Sequence, residues 1–439
     1  MTKKVYIKTF GCQMNEYDTL RIFSILRRMR YEKVVEPADA DLILLNSCSV
    51  RQKAEQKLYS LIGRLARFKK KKKRLIIGVG GCVGQQEGSL MFNKSPYIDF
   101  VFGPHTIDKI PELLKEVEEN HKKKAFILDK SDPSCLEITP FPELIEGIKA
   151  YVTIMQGCDN FCSYCIVPYV RGREVSRPSK LIIKQIKELV EKGIKEVILL
   201  GQNVNSYGLK GNNELTFPQL LYKVNNIEGL KRIRFITSHP KDLSEDLIMA
   251  FKDLEKLCEH IHLPFQSGSN RILKLMNRGY TREEYLDKIE RLKELKPDIS
   301  FSADVIVGFP GESEEDFSQT LDLIQRVQFD QLYSFQYSPR KGTKAALLPD
   351  EVDPQTKNKR LQILQAMQRK ISIQKNIEKE GKVVEVLVEG RSKNDINELT
   401  GRTRGNKIVN FPGKIEWIGS IKKVKITKGY ANSLRGVLV

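Results

Sequence analysis

The sequence predicts an α/β protein in three parts: an N-terminal parallel-sheet α/β domain over residues 1–130, a central incomplete (β/α)6 barrel over 145–375, and a small C-terminal β-barrel over 376–439. Three observations predict it. Two successive series of β-rich runs alternate with helical patterns, the signature of βαβ units. A Pro-containing connection, "SDPSCLEITPFPELIEG" at residues 131–147, separates the two series. The last stretch changes to short strands broken by glycine-containing turns.

Each element follows in order. The first series runs "KVYIKTF", a helix from about Glu16, "DLILLN", a second helix, "RLIIGVG", "IDFVFG" and "AFILD". The second helix carries Ala54, Leu58, Leu61, Ile62 and Leu65 on one face, at helical spacing. Strands separated in this way imply a parallel sheet covered on both faces. The second series holds six strand candidates, "AYVTIMQG", "EVILLGQN", "RIRFITSH", "HIHLPFQ", "ISFSADVIVGF" and "QLYSFQY". Helical patterns such as "SKLIIKQIKELVEKG" and "TREEYLDKIERLKEL" lie between them. Six repeats make an incomplete version of the eightfold barrel, whose functional residues sit at the C-terminal ends of the strands. A helix from about Pro354 to Glu380 then leads into the terminal unit.

Charge and composition narrow the function classes. A formal net charge of +19 exceeds what solubility needs and points first to nucleic acid, then to an anionic membrane surface. Arg391, Arg402, Arg404, Lys422, Lys423 and Lys425 in the terminal barrel are candidate phosphate contacts, while "KKKKKR" at Lys69–Arg74 reads as a solvated loop. No apolar run approaches the roughly 18 residues that cross a bilayer, and the N-terminal stretch lacks the apolar core of a signal peptide. Eight cysteines in 439 residues are too sparse for a disulfide scaffold. A reducing cytoplasm and no membrane are therefore expected.

The cysteines carry the chemistry. Cys158, Cys162 and Cys165 fall within the eight residues "CDNFCSYC", directly after the first strand of the second series. This C-x3-C-x2-C spacing matches neither paired zinc knuckles nor a ferredoxin run with its fourth cysteine. Three thiolates on a four-iron cluster leave one iron open, and open coordination goes with reactivity. Cys12, Cys48 and Cys82 each fall just past the end of one of the first three strands, so a parallel sheet brings them to one edge, where such folds bind ligands. "GVGGCVG" fails as a phosphate loop, since Val83 stands at the third glycine position. His260 and His262 alternate on one strand face and read as packing rather than as a metal pair; Cys135 and Cys258 read as structural.

With Tyr164 before its last cysteine, the motif resembles the radical S-adenosylmethionine (SAM) signature. "FGCQMNEYD", "NSCSVRQKAE", "GVGGCVGQ", "PYVRGREVSRP", "LLGQNVNSYG", "HLPFQSGSNRIL", "DVIVGFPGE" and "LTGRTRGNKIVNF" resemble the radical SAM methylthiotransferase family over essentially the whole chain. The resemblance implies two [4Fe-4S] clusters. The one on Cys158, Cys162 and Cys165 would bind SAM and cleave it to a 5′-deoxyadenosyl radical; the one on Cys12, Cys48 and Cys82 would supply the methylated sulfur. It also implies SAM contacts at strand ends, for which Gly201, Asn203, Ser238, Gln266 and Gly308 are the candidates, and a terminal TRAM domain that binds RNA. Among family members, the first two cysteine motifs look most like those acting on isopentenylated adenosine beside the tRNA anticodon. The competing readings are threonylcarbamoyl adenosine in tRNA, an aspartate of a ribosomal protein, a non-catalytic iron–sulfur RNA-binding protein and an electron-transfer protein. The expected partners are the tRNA anticodon loop, an electron donor such as flavodoxin or ferredoxin, and a sulfur source, with the chain a monomer.

Overall fold

Six parallel strands build the first sheet. A computed structural model describes residues 2–49, 52–120, 122–128, 136–210, 214–393 and 395–439; Cys135 lies outside the described residues. The N-terminal elements are β1 (Lys3–Phe10), α1 (Gln13–Arg28), β2 (Tyr31–Lys33), β3 (Leu42–Ser47), α2 (Gln52–Lys71), β4 (Ile76–Gly81), α3 (Cys82–Glu87), α4 (Leu90–Lys94), β5 (Phe100–Phe102), α5 (Ile110–Asn120) and β6 (Lys124–Phe126). Their order in the sheet is β2-β1-β3-β4-β5-β6. Every residue of β3 and β4 is buried, and successive side chains feed opposite cores. Leu42 and Leu44 join Phe100 and Phe102 on one face; Ile43 and Leu45 join Leu58, Ile62 and Leu65 of α2 on the other.

Strand β2 was not among the expected strands, because only Tyr31 of its three residues is buried and so short a segment has no readable period. It pairs with the outer edge of β1. The three cysteines consequently follow the first, third and fourth strands, not the first three, yet β1, β3 and β4 remain direct neighbours. The basic run at Lys69–Arg74 divides: Lys69 pairs with Asp99, and Lys72 with Asp41 at 2.6 Å, so two of its charges brace the sheet.

The second series forms β7 (Lys149–Thr153), β8 (Met155–Gln156), α6 (Val167–Arg171), β9 (Val175–Ser176), α7 (Ser179–Glu191), β10 (Glu196–Leu200), α8 (Phe217–Asn225), β11 (Arg232–Phe235), α9 (Glu245–Asp253), β12 (His260–His262), α10 (Asn270–Leu275), α11 (Arg282–Leu295), β13 (Ser300–Val307), α12 (Glu314–Val327), β14 (Gln331–Gln336) and α13 (Pro354–Ile377). Strands β7, β10 and β11 pair in parallel, as do β12, β13 and β14, and a bridge between Ile233 and Leu257 joins the two halves. Among the described residues no pairing joins β14 back to β7, so the barrel is open on one side. Thr281 with Glu284 and Ser313 with Asp316 cap α11 and α12 reciprocally, which starts each helix where its apolar period begins.

The chain ends in a closed five-stranded barrel, β15 (Val383–Arg391), β16 (Glu398–Thr403), β17 (Ile408–Pro412), β18 (Ile421–Gly429) and β19 (Leu434–Leu438), around Val386, Leu399, Phe411, Val424 and Ile426. Its β16–β17 turn closes the N-terminal end of the open barrel. Arg232 and Arg234 donate to the carbonyls of Arg402, Thr403 and Arg404 at 2.7 Å, and Lys407 meets Asp330 at 2.9 Å. Two of the candidate phosphate contacts are corrected by this: Arg404 forks onto Glu259 at 2.6 and 2.9 Å, and Arg402 is held by Asn406 and Glu389. Lys423 and Lys425 project outward from β18, while Lys422 lies over the Trp417 ring at 4.8 Å.

Candidate functional site

The N-terminal trio is assembled by neighbouring strand ends. Gly11 sits at φ +129°, and a Cβ there would lie 2.3 Å from the Cβ of Cys48; only glycine lets the β1 end come so close to the β3 end. Cys48 is hydrogen-bonded to both Cys12 and Cys82, and Cys12 also donates to Asn15 Oδ1 at 3.3 Å. The bond with Cys48 draws Cys12 down to about 6 against its burial, with Arg171 acting in the same direction. Cys82 is drawn down to about 7 for the same reasons, and Cys48 is raised well above the ordinary thiol range. Three expected ligands from separate strands are thus brought together.

The second trio lies in a loop framed by the β8–β9 ribbon. Gly157, at φ +83°, packs against Arg173, whose carbonyl oxygen would be 2.0 Å from an added Cβ. Burial pushes the Cys158 thiol up to about 11 and that of Cys165 up to about 12. One thiol is singled out. Arg278, buried, donates from Nη1 to Cys162 Sγ at 3.3 Å, from Nε to Tyr280 Oη at 3.1 Å and from Nη2 to the Pro264 carbonyl at 2.8 Å. His239 Nε2 lies 3.9 Å from the same sulfur, and its Nδ1 accepts from the Lys241 amide, so the ring is a neutral donor toward Cys162. Burial and the nearby Arg278 charge push the His239 pKa far down.

The five proposed SAM contacts all follow barrel strands on this edge. Asn203, after β10, donates to Asp242 Oδ2 at 2.7 Å, a carboxylate that also receives Asn160 beside Cys158 at 3.4 Å. Ser238, after β11, adjoins His239. Gln266, after β12, adjoins Phe265, whose carbonyl accepts from Tyr280. Asn203 Oδ1, Ser238 Oγ and Gln266 Oε1 are buried and have no partner among the described residues. Orphaned polar atoms of this kind fit a polar ligand with donors. Gly201 packs against Met155, and the Gly308 amide donates to Glu312 at 2.7 Å.

The two trios adjoin each other. Helix α6 begins two residues after Cys165, and its Ile166 and Val170 neighbours pack on Cys82. Arg171 ends that helix and pairs with Asp18 of α1 at 2.7 Å. Met14 and Tyr17, just after Cys12, pack with Leu200, Tyr151 and Ile198 of the barrel. Among the described residues no three Cys, His, Asp or Glu side chains meet closely enough to chelate a single ion. A cluster asks for something else, because each thiolate takes its own iron and the ligands must surround a volume, not a point. His260 and His262 share Ser302 as partner, each at 3.0 Å, as packing residues do, and Cys258 is buried.

Arg171, Arg278 and His239 were missed at the level of sequence. Their only local signal is proximity to a motif, Arg171 six residues past Cys165 in "PYVRG"; the other two approach from distant loops that only the barrel brings near.

Known proteins extend these observations. Residues 152–324 match the radical SAM superfamily, residues 4–103 the uncharacterized protein family UPF0004, and residues 378–439 the TRAM domain. Solved structures share the fold: radical SAM methyltransferase TsrM from Kitasatospora setae has a TM-score of 0.59 at 13% identity, covering 79% of this chain and 74% of that one. The cobalamin-dependent radical enzyme OxsB has a TM-score of 0.53 at 15% identity, covering 84% of this chain and 56% of its own. Curated relatives are much nearer in sequence. The tRNA-2-methylthio-N(6)-dimethylallyladenosine synthase of Syntrophus aciditrophicus is 52% identical over 438 residues, 100% of this chain and 95% of the relative. That of Geobacter metallireducens is 50% identical over 436 residues, 99% of this chain and 98% of the relative. From its first cysteine motif to its terminal barrel, the chain belongs to the radical SAM family of tRNA-2-methylthio-N(6)-dimethylallyladenosine synthases.

Proposed function

We propose that the chain methylthiolates C2 of N6-isopentenyladenosine beside the tRNA anticodon, using SAM, one [4Fe-4S] cluster on Cys158, Cys162 and Cys165, and a second on Cys12, Cys48 and Cys82. The observation that carries this reading is the convergence of three strand-end thiols directly beside the helix that follows the three-cysteine loop, in a chain about half identical to such synthases along its whole length. When bound, the first cluster supplies the electron that splits SAM into methionine and a 5′-deoxyadenosyl radical, and the second supplies sulfur.

The chain's own residues bind, orient and exclude water. Asn203, Ser238 and Gln266 offer unpaired acceptors to the SAM amino and hydroxyl groups, and Gly201 and Gly308 remain candidate contacts at strand ends whose Cβ directions are filled by Met155 and Lys357. Arg278 and neutral His239 hold Cys162 in a fixed orientation. On the open side, between β7 and β14, a cavity of about 680 Å³ extends from Gln13 to the terminal barrel; Lys149 and Lys407 in its lining are engaged by Glu389 and Asp330, and exposed Arg369 favours an anionic polymer at its mouth. An anticodon loop suits the site because its bases are already partly unstacked, which lowers the cost of extruding one by a few kcal/mol, that is about 2–3. An electron donor of flavodoxin or ferredoxin type and a sulfur source complete the balance, and the chain acts as a monomer.

The test is anaerobic assembly with iron and sulfide, followed by reductant, SAM and tRNA bearing isopentenyladenosine. Methylthio mass in the digested nucleosides is the expected result. Absence of 5′-deoxyadenosine would overturn the radical reading, and 5′-deoxyadenosine without modified nucleoside would redirect it to another substrate.

A further inference from the structure

The buried positive charge beside the N-terminal trio comes partly from the other domain. Asp18, whose side chain is 2% exposed, holds Arg21 of its own helix at 3.1 Å and Arg171 of α6 at 2.7 Å. Arg21 is further committed through Nε to the Ile138 carbonyl at 2.8 Å. Arg171 brings a buried guanidinium into this junction, and a buried charge is strongly unfavourable unless anions face it. Arg171 Nη1 is buried and finds no oxygen or nitrogen partner among the described residues, while Arg171 draws down the Cys82 thiol and its helix packs on that residue. A donor so placed calls for an anion on the thiol side.

We propose that Arg171 is a positioning residue for the cluster on Cys12, Cys48 and Cys82: it balances the negative charge of the thiolate-bound iron, raises the cluster's reduction potential, and ties the cluster's place to the loop of the first three-cysteine motif. This rests on the two-cluster reading above. The charge reaches the N-terminal trio from a helix beginning two residues after Cys165, so a single short segment carries a ligand of one centre and the counter-charge of the other. Positive charge and hydrogen bonds near a cluster favour its reduced, more negative state.

The test uses the full chain with Cys158, Cys162 and Cys165 all changed to Ala, which isolates the N-terminal centre. It is assembled anaerobically with iron and sulfide, and its midpoint potential is read by paramagnetic resonance during a redox titration. Arg171→Gln is expected to shift the reduction equilibrium at least tenfold toward the oxidised form, about 59 mV for a one-electron couple, and Arg171→Lys to recover most of that shift. An unchanged potential in Arg171→Gln would overturn the proposal and leave Arg171 a clamp between domains. If Arg171→Gln does not assemble, Asp18→Asn decides: loss of the competing carboxylate should raise the potential, and a fall or no change overturns the proposal. Failure of the parent to take up a cluster would overturn the two-cluster reading and this inference together.

Discussion

The two cysteine trios solve one problem by opposite routes. Cys158, Cys162 and Cys165 are local: eight residues of chain cannot carry their thiols far apart, and a glycine turn with a two-strand ribbon is enough to shape the loop. Cys12, Cys48 and Cys82 are non-local and depend on β1, β3 and β4 being neighbours in a parallel sheet. Their electrostatics differ accordingly. In the sheet-edge trio, mutual hydrogen bonding and Arg171 pull Cys12 and Cys82 down to about 6 and about 7; in the loop trio, burial dominates and lifts Cys158 and Cys165 to about 11 and about 12. Two of the sheet-edge thiols are therefore biased toward thiolate while Cys48 is held protonated, whereas the loop thiols would stay protonated until a bound metal displaced their protons.

The largest effects that would break this comparison come from removing a proposed cluster ligand. Cys158→Ala should abolish SAM cleavage, whereas Cys48→Ala should keep 5′-deoxyadenosine formation and lose methylthiolation. Identical failure of both at cleavage would show that the centres do not divide the reaction. Next come the glycines that shape each site. Gly11→Ala, with its added Cβ 2.3 Å from that of Cys48, should roughly halve iron uptake and spare SAM cleavage, while Gly157→Ala, pressed against the Arg173 carbonyl, should also roughly halve iron uptake but lose SAM cleavage; the left-handed backbone alone adds about 1–2 kcal/mol to either clash. Iron per chain alongside 5′-deoxyadenosine separates the two outcomes.

A smaller effect sharpens the contrast between the arginines. Arg278→Met removes the guanidinium from Cys162 and should slow SAM cleavage by about 10–100-fold, the usual cost of losing a partner of a metal ligand, with SAM and tRNA binding retained in equilibrium assays. The smallest concerns neither centre. Lys423→Ala with Lys425→Ala, on the exposed face of β18, should weaken tRNA binding and flatten its dependence on log salt by about 0.7 per lost phosphate contact, leaving tRNA-independent cleavage unchanged. A matching loss of cleavage would mean that the terminal barrel also supports the catalytic core.

Legibility in the sequence followed the range of the interaction. Ala54, Leu58, Ile62 and Leu65 announced α2 because helical periodicity is a local property, and all four are buried. The six barrel strands were legible for the same reason, and the expected helix from Pro354 ends at Ile377. Strand β2 was not, being three residues with one buried side chain. Two of the three terminal arginines were misjudged: Arg402 and Arg404 look no different in sequence from Lys423 and Lys425, and only the docking of the β16–β17 turn commits them to Glu389, Asn406 and Glu259.

What the amino-acid order by itself determined is the grouping of six thiols and the alternation that places three of them at strand ends, because spacing and period act over a few residues. What the tertiary structure alone decided is which charges face those thiols. Arg171, Arg278 and His239 reach their thiols across domain and loop boundaries, and a guanidinium buried at one contact or solvated at another is the same letter until the surrounding surfaces exclude water from it.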